Sequence, residues 1–152
     1  MSVSKDFEEL FALLNAQGVK GLIVGGYAVT YHAKPRYTKD IDIWIEPTRE
    51  NVERLLQALD EFGFGSLGLQ AEDFSPGRFV QLGQPPNRID LLTAIKDVAF
   101  DEAWESRVED LFGEQRVCFL GKEELIRNKK AVGRAKDRED VRVLKRFTKK
   151  KA

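Results

Sequence analysis

Residues 21–45 read GLIVGGYAVTYHAKPRYTKDIDIWI, and this stretch decides the fold. Lys20 to Val24 is a short apolar run, the length and composition of a buried strand. Gly25-Gly26 breaks it, and Tyr27 to His32 starts a helix. Ile41 to Ile45 then alternates with Asp42 and Trp44, as a strand does. Side chains at i and i+2 of a strand share a face, with Cα atoms about 7 Å apart. Asp40 and Asp42 therefore point one way, and Ile41 and Ile43 point into a core.

Working outward, helices and strands alternate. Phe7, Leu10, Phe11 and Leu14 fall at i, i+3, i+4 and i+7, so the first segment is an amphipathic helix, with Ser4 to cap it and Gly18 to end it. Pro47-Thr48 opens a helix whose apolar stripe is Val52, Leu55, Leu56, Leu59 and Phe62. Gly63 to Gly77 is glycine-rich and is expected to be loop with short elements. Arg78–Leu82 and Arg88–Leu92 are expected strands, joined through Gly83-Gln84-Pro85-Pro86-Asn87. Ala99 to Leu111 is expected to be helical, and Val117–Leu120 a short strand. Glu123–Ala131 and Asp137–Phe147 are expected helices, separated by Gly133. No repeat and no interdomain linker is visible. The expectation is α+β: one domain over 1–152, with a small mixed sheet flanked by helices over about 4–120 and a basic helical part over about 121–152.

Composition narrows the function classes. The chain has 152 residues, 42% apolar and 33% charged, enough for one core that buries about two-thirds of the unfolded surface. The longest uncharged apolar-rich stretch, Gly21 to Thr30, is too short to span a bilayer, so no membrane partner is expected. The start MSVSKDFEEL has acidic residues where a signal peptide needs an apolar run, and a cytoplasmic location is expected. The single cysteine, Cys118, makes neither an internal disulfide nor a cysteine-based zinc site. Basic and acidic residues balance at 25 each. They are unevenly spread: 122–152 carries 13 Lys and Arg against 5 Asp and Glu, and the first 121 residues carry 12 against 20. A basic segment on an acidic body attracts an anion such as a nucleotide or an RNA, or is simply a solvated helix face.

The chemistry lies in Gly25-Gly26, Asp40, Asp42 and Asp90. Two convergent carboxylates repel one another and are costly to hold together without a cation. Hard oxygen ligands of this kind suit Mg2+. A third carboxylate, Asp90, stands in the expected strand Arg88–Leu92. Were the two strands neighbours, the three could hold two ions about 3.5–4 Å apart, an arrangement suited to in-line attack on phosphorus. Gly25-Gly26, between a strand and a helix, lets a backbone approach a phosphate beside free helical N–H groups. Each signal alone is weak; their order and spacing are more specific.

In these residues the chain resembles the nucleotidyltransferases of the DNA polymerase β type. Their signature is Gly-Gly or Gly-Ser after an apolar residue, a spacer, then Asp-x-Asp or Asp-x-Glu, and a third acid from a later strand. The spacer here, Tyr27 to Lys39, has thirteen residues. Arg36-x-Thr38 before the aspartates, and the segment from Glu124-Leu125-Ile126 through Asn128-Lys129, Gly133-Arg134 and Asp137 to Asp140-Val141, resemble small stand-alone bacterial members. The likeness covers roughly Leu10 to Leu144. It implies that Gly25 and Gly26 hold the triphosphate of an NTP and that Asp40 and Asp42 bind Mg2+. Asp90 would complete the metal site and favour deprotonation of the acceptor hydroxyl, while Arg36 and Thr38 would contact phosphate or acceptor. Arg36 in a surface salt bridge and Thr38 in a turn hydrogen bond are the simpler readings. Lys129 and Arg134 are candidate nucleotide-binding cations, oriented by Asp137, or charges on an exposed helix face.

The sequence departs from the family at Tyr27, which replaces a common serine and either stacks on a base or packs. His32 either touches substrate or is structural. Trp44 either walls the site or belongs to the core. Cys118 and Trp104 are expected to pack. Three functions are open: a Mg2+-dependent transfer of a nucleoside monophosphate from an NTP to a hydroxyl; a catalytically quiescent binding protein in a toxin–antitoxin pair; and an RNA-binding protein. The first keeps all three carboxylates. Its acceptor (protein, tRNA or small molecule) is not legible.

Overall fold

The computed structural model describes residues 4–35, 38 and 40–147. Arg36 and the basic tail from 148 onward lie outside the described residues.

Helix α1 (Lys5–Ala16) starts where Ser4 Oγ accepts from the Phe7 N–H and ends before Gly18, whose φ is +68°. Its Phe7, Leu10, Phe11 and Leu14 are buried, each contributing about 1.5–3 kcal/mol of gross apolar burial. Strand β1 (Gly21–Val24) runs directly into helix α2 (Gly25–His32), and strand β2 (Asp40–Ile45) follows. Thr48 Oγ1 caps helix α3 (Arg49–Leu59), whose Val52, Leu55 and Leu59 reach the core. A π turn at Asp60–Phe64 and short 3-10 turns at Gly65–Leu67 and Ala71–Phe74 follow, within and just ahead of the segment from Gly63 to Gly77 expected as loop with short elements. Strands β3 (Phe79–Leu82) and β4 (Arg88–Leu92) form a hairpin. Helix α4 (Phe100–Glu105), strands β5 (Val108–Phe112) and β6 (Gln115–Phe119), and helices α5 (Lys122–Val132) and α6 (Ala135–Arg146) complete the order. Gly133, at φ +71°, ends α5.

Among the described residues six strands form one mixed sheet in the order β3-β4-β2-β1-β6-β5. β2 pairs parallel with β4 and antiparallel with β1, so the strands carrying Asp42 and Asp90 are neighbours. The register sets Asp42 opposite Asp90, Asp40 opposite Arg88, and Val24 opposite Asp42. The end of β1, the aspartates and Asp90 thus share one end of the sheet. α1 and α3 pack together, while α2 packs on β1, β2, α5 and α6. The same core includes Leu125 and Leu144, so the two last helices are built into it.

Asn51 stitches the other end of β1. Buried at 2% exposure, it accepts from the Lys20 N–H at 2.7 Å and donates to Lys20 O and Glu46 O, each at 2.9 Å.

One expected helix is overturned. Ala99 to Leu111 is helical only to Glu105; Val108–Phe112 is strand β5, antiparallel to β6 across Gly113-Glu114. Gly113 takes φ +63° there, and the Glu114 N–H donates to Glu8 Oε2 at 2.7 Å. Phe112 is fully buried, 5.2 Å from the Phe11 ring and 5.9 Å from the Tyr27 ring. Burial of Phe112 and closure of the sheet outweigh the helical spacing of 99–111. Cys118 packs against the core as expected but only half-buried, on the strand face opposite the buried Val117 and Phe119. Burial raises its thiol pKa, which keeps it unreactive.

Candidate active site

Asp40, Asp42 and Asp90 meet. Each offers one carboxylate oxygen, and these atoms lie within 4.8 Å of one another. The sheet does this: neighbouring parallel strands carry the three side chains on one face, between apolar residues that fix the register. Asp42 bears the cost. Burial first, then the charge of Asp90, a hydrogen bond shared with Asp90, and the charge of Asp40 push its carboxyl up to about 7, against a smaller opposing effect of Lys129. Asp40 Oδ1 is buried without a hydrogen-bond partner among the described residues.

Gly25 sits against this cluster. Its φ is +66°, and a Cβ there would collide with the Asp42 carboxylate. Only glycine meets both constraints. α2 begins at Gly25 with Val24 as its cap residue, whose side chain caps none of the first N–H groups. Gly26 is buried behind it. Thr38 is half-buried, two residues before Asp40.

The C-terminal helices add a second charged cluster. Lys129, on α5, is 5% exposed, with Nζ 3.3 Å from Asp137 Oδ1 and 3.0 Å from Asp140 Oδ2. The reading of Lys129 as a charge on an exposed helix face does not hold. Arg134 donates to Asp137 Oδ2 at 2.6 Å from Nε and from its backbone N–H at 3.2 Å, so Asp137 orients both cations. Burial alone would raise the Asp137 pKa; its hydrogen bonds from Arg134 and the Lys129 charge outweigh that and lower it. The Arg134 side chain remains 66% exposed.

Arg88 was read only as a strand residue. Its Nη2 lies 2.6 Å from Asp40 Oδ2 and 3.1 Å from Asp90 Oδ2, and its Nε donates to Asp90 Oδ1 at 3.1 Å. Its position two residues before Asp90, on the same strand face, was the available signal.

Two open readings, those of Trp44 and His32, resolve toward packing. Tyr27 is half-buried, edge-on to Phe7 at 6.0 Å, and behind burial the charge of Asp40 raises its hydroxyl pKa, so it also borders the carboxylates. Trp44, 2% exposed, meets Phe100 edge-to-face at 5.1 Å and does not wall the site. His32 is 7% exposed, with Nε2 2.7 Å from Leu120 O. Trp104 packs as expected, stacked on Phe100 at 5.8 Å under the Arg107 guanidinium at 4.1 Å. A cavity of about 280 Å3, lined by Phe11, Leu14, Lys20, Trp104 and Cys118, lies at the far end of β1 from the carboxylates. Among the described residues no helix is long and apolar enough to cross a membrane.

Several solved structures share this fold. The lincosamide antibiotic adenylyltransferase LnuA, bound to lincomycin, matches at TM-score 0.58 and 14% identity, over 97% of this chain and 100% of that one. ANT(2″)-Ia in complex with adenylyl-2″-tobramycin matches at TM-score 0.57 and 17% identity, over 91% and 84%. A nucleotidyltransferase-like antigenic protein from Paracoccidioides brasiliensis matches at TM-score 0.53 and 18% identity, over 90% and 74%. At these identities the likeness shows the fold: α+β, of the nucleotidyltransferase type, in keeping with the polymerase β-type resemblance. No curated protein matches the chain in sequence. A family model does match, over residues 1–146, and by it the chain belongs to the nucleotidyltransferases of unknown function designated DUF6036.

Proposed function

We propose that this chain transfers a nucleoside monophosphate from an NTP to a hydroxyl, with release of pyrophosphate, at Asp40, Asp42 and Asp90. The observation that carries the reading is the convergence of three carboxylates beside Gly25 at the uncapped start of α2. The donor set fits a divalent cation: three hard oxygen donors, an Asp40 Oδ1 without a hydrogen-bond partner among the described residues, and an Asp42 whose charged form Lys129 only partly compensates. Mg2+ bound there, as one ion or two, would supply Lewis-acid stabilisation of phosphoryl charge and a more acidic acceptor hydroxyl.

The protein's own groups do the remaining work. Gly25 and Gly26 let a phosphate oxygen approach the backbone, and the first N–H groups of α2 donate to it. Asp90 accepts the proton of the acceptor hydroxyl. Arg134, exposed and oriented by Asp137, reaches for the triphosphate. Arg36 and Thr38, just ahead of Asp40, contact phosphate or acceptor. Lys129 is enclosed by its two aspartates and acts at range, as positive charge behind Asp42. All three carboxylates within one ligand sphere favour this reading over a quiescent binding protein. The named ligands of LnuA and ANT(2″)-Ia make a small hydroxylated molecule the first acceptor class to test, before tRNA or a partner protein.

The test is thermal unfolding with each NTP, with and without Mg2+, of wild type and of Asp40→Asn/Asp42→Asn. At a hundredfold excess over Kd a ligand adds about 2.7 kcal/mol of stability. A Mg2+-dependent shift in wild type that the double variant lacks is expected, and it names the preferred base. No shift with any NTP at millimolar concentration would refute the reading.

A further inference from the structure

We propose that Arg88 is a resident counter-cation: it holds Asp40 and Asp90 in place in the metal-free protein, and a divalent ion must displace it from them. The inference rests on the carboxylate cluster being the metal site.

The sheet register, not a chance rotamer, sets Arg88 against the cluster. Arg88 lies directly opposite Asp40 on the neighbouring strand and two residues before Asp90. Its guanidinium forks onto both oxygens of Asp90 and shares Nη2 with Asp40 Oδ2. Two of the three candidate ligands are thus already occupied by a cation. Among the described residues Arg88 makes no hydrogen bond to Asp42 and acts on it through charge alone. A divalent ion drawing on Asp40 and Asp90 competes with the guanidinium for the same oxygens, and like charges so close repel.

Arg88 is also the part of the cluster that can leave. Its side chain is 31% exposed, against 18% for Asp40 and 11% for Asp90, and its stem is long and flexible. A planar fork that matches a carboxylate also matches a phosphate. Displaced from Asp90, the guanidinium stays tethered on the site face, where the triphosphate would give it new acceptors. The consequence is coupling: Arg88 opposes a metal ion alone and favours metal and nucleotide together.

The experiment is Mn2+ binding, read from the EPR signal of the free ion, without nucleotide and then with a non-hydrolysable α,β-methylene NTP. Arg88→Gln is expected to bind Mn2+ alone roughly tenfold more tightly than wild type. The tightening of Mn2+ by nucleotide is expected to shrink in R88Q. Arg88→Lys, which keeps the charge, is expected to bind Mn2+ alone nearly as wild type does. Unchanged or weaker Mn2+ affinity in a folded R88Q overturns the inference. In that case loss of Mn2+ in Asp42→Asn would leave the metal site standing; Mn2+ binding that Asp42→Asn does not reduce would remove both. Should R88Q not fold, the Nε–H signal of Arg88 in wild-type 15N spectra decides. It is expected to move and to exchange faster with water as Mg2+ saturates, and an unmoved signal at saturation overturns the inference.

Discussion

Asp42 is the most strained group of the site, and its strain is electrostatic. Its carboxyl pKa, raised from 3.8 to about 7, means that the folded chain holds a proton the unfolded chain releases. That stabilisation is fully present below about pH 4 and is lost as pH rises through about 7. Without metal, Asp42→Asn should therefore gain on the order of 2–4 kcal/mol over wild type at pH 8 and almost nothing at pH 4. Urea melts across that range test the sign; a variant that unfolds at pH 8 would make Asp42 structural. The same substitution should lower transfer about a thousandfold, the value of several kcal/mol of lost charge stabilisation. Gly25 depends on the same carboxylate. Gly25→Ala imposes an unfavourable left-handed conformation and a collision with Asp42, so a cost of about 1–3 kcal/mol is expected, with weakened Mn2+ binding. Chemical denaturation and EPR on one preparation measure both.

At the scale of elements, a side chain ties the start of β1 to the end of β2, in addition to the strand pairing. Asn51 makes three hydrogen bonds to the ends of β1 and β2, so it links α3 to both strands of the site. Asn51→Leu keeps the volume and abandons the Lys20 and Glu46 backbone groups, at an expected cost of about 2–4 kcal/mol in denaturant unfolding. A loss below about 0.5 kcal/mol would mean that water replaces those bonds. Elements also explain the misread hairpin. Ala99 to Leu111 reads as one helix, and nothing local reveals that Phe112 has a slot beside Phe11 and Tyr27. That slot exists only after α1 and α2 have packed.

The whole molecule sets the charge balance. Its acidic body carries the carboxylates, and its basic end folds back through α5 and α6 so that Lys129 and Arg134 act on Asp42. Lys129 is the joint: 7% exposed at the side chain, between two aspartates that are 1% and 6% exposed. Lys129→Met leaves those carboxylates buried with less compensation, at an expected cost of about 3 kcal/mol. It should also push the Asp42 pKa further up, since a neighbouring positive charge is removed. Carboxyl 13C titration by NMR reads that shift, and a lower Asp42 pKa in the variant would contradict this electrostatic link between the helices and the site.

By itself the sequence determined the elements with strong local signals: α1 from its apolar spacing and caps, β1 and β2 from short apolar runs, and Gly25-Gly26 with Asp40 and Asp42 from a compact motif. Those signals are local because strand and helix periodicity act over a few residues. It also offered Asp90 as a third carboxylate in an apolar strand, and carried the resemblance that the family match supports. Tertiary structure alone decided that β4 lies beside β2 in the register that brings Asp90 to Asp42. It likewise decided that Val108–Phe112 closes the sheet, that Lys129 is enclosed, and that Arg88 bridges Asp40 and Asp90. Each of these rests on contacts between residues far apart in the chain, where burial and charge pairing are set by packing and no local pattern records them.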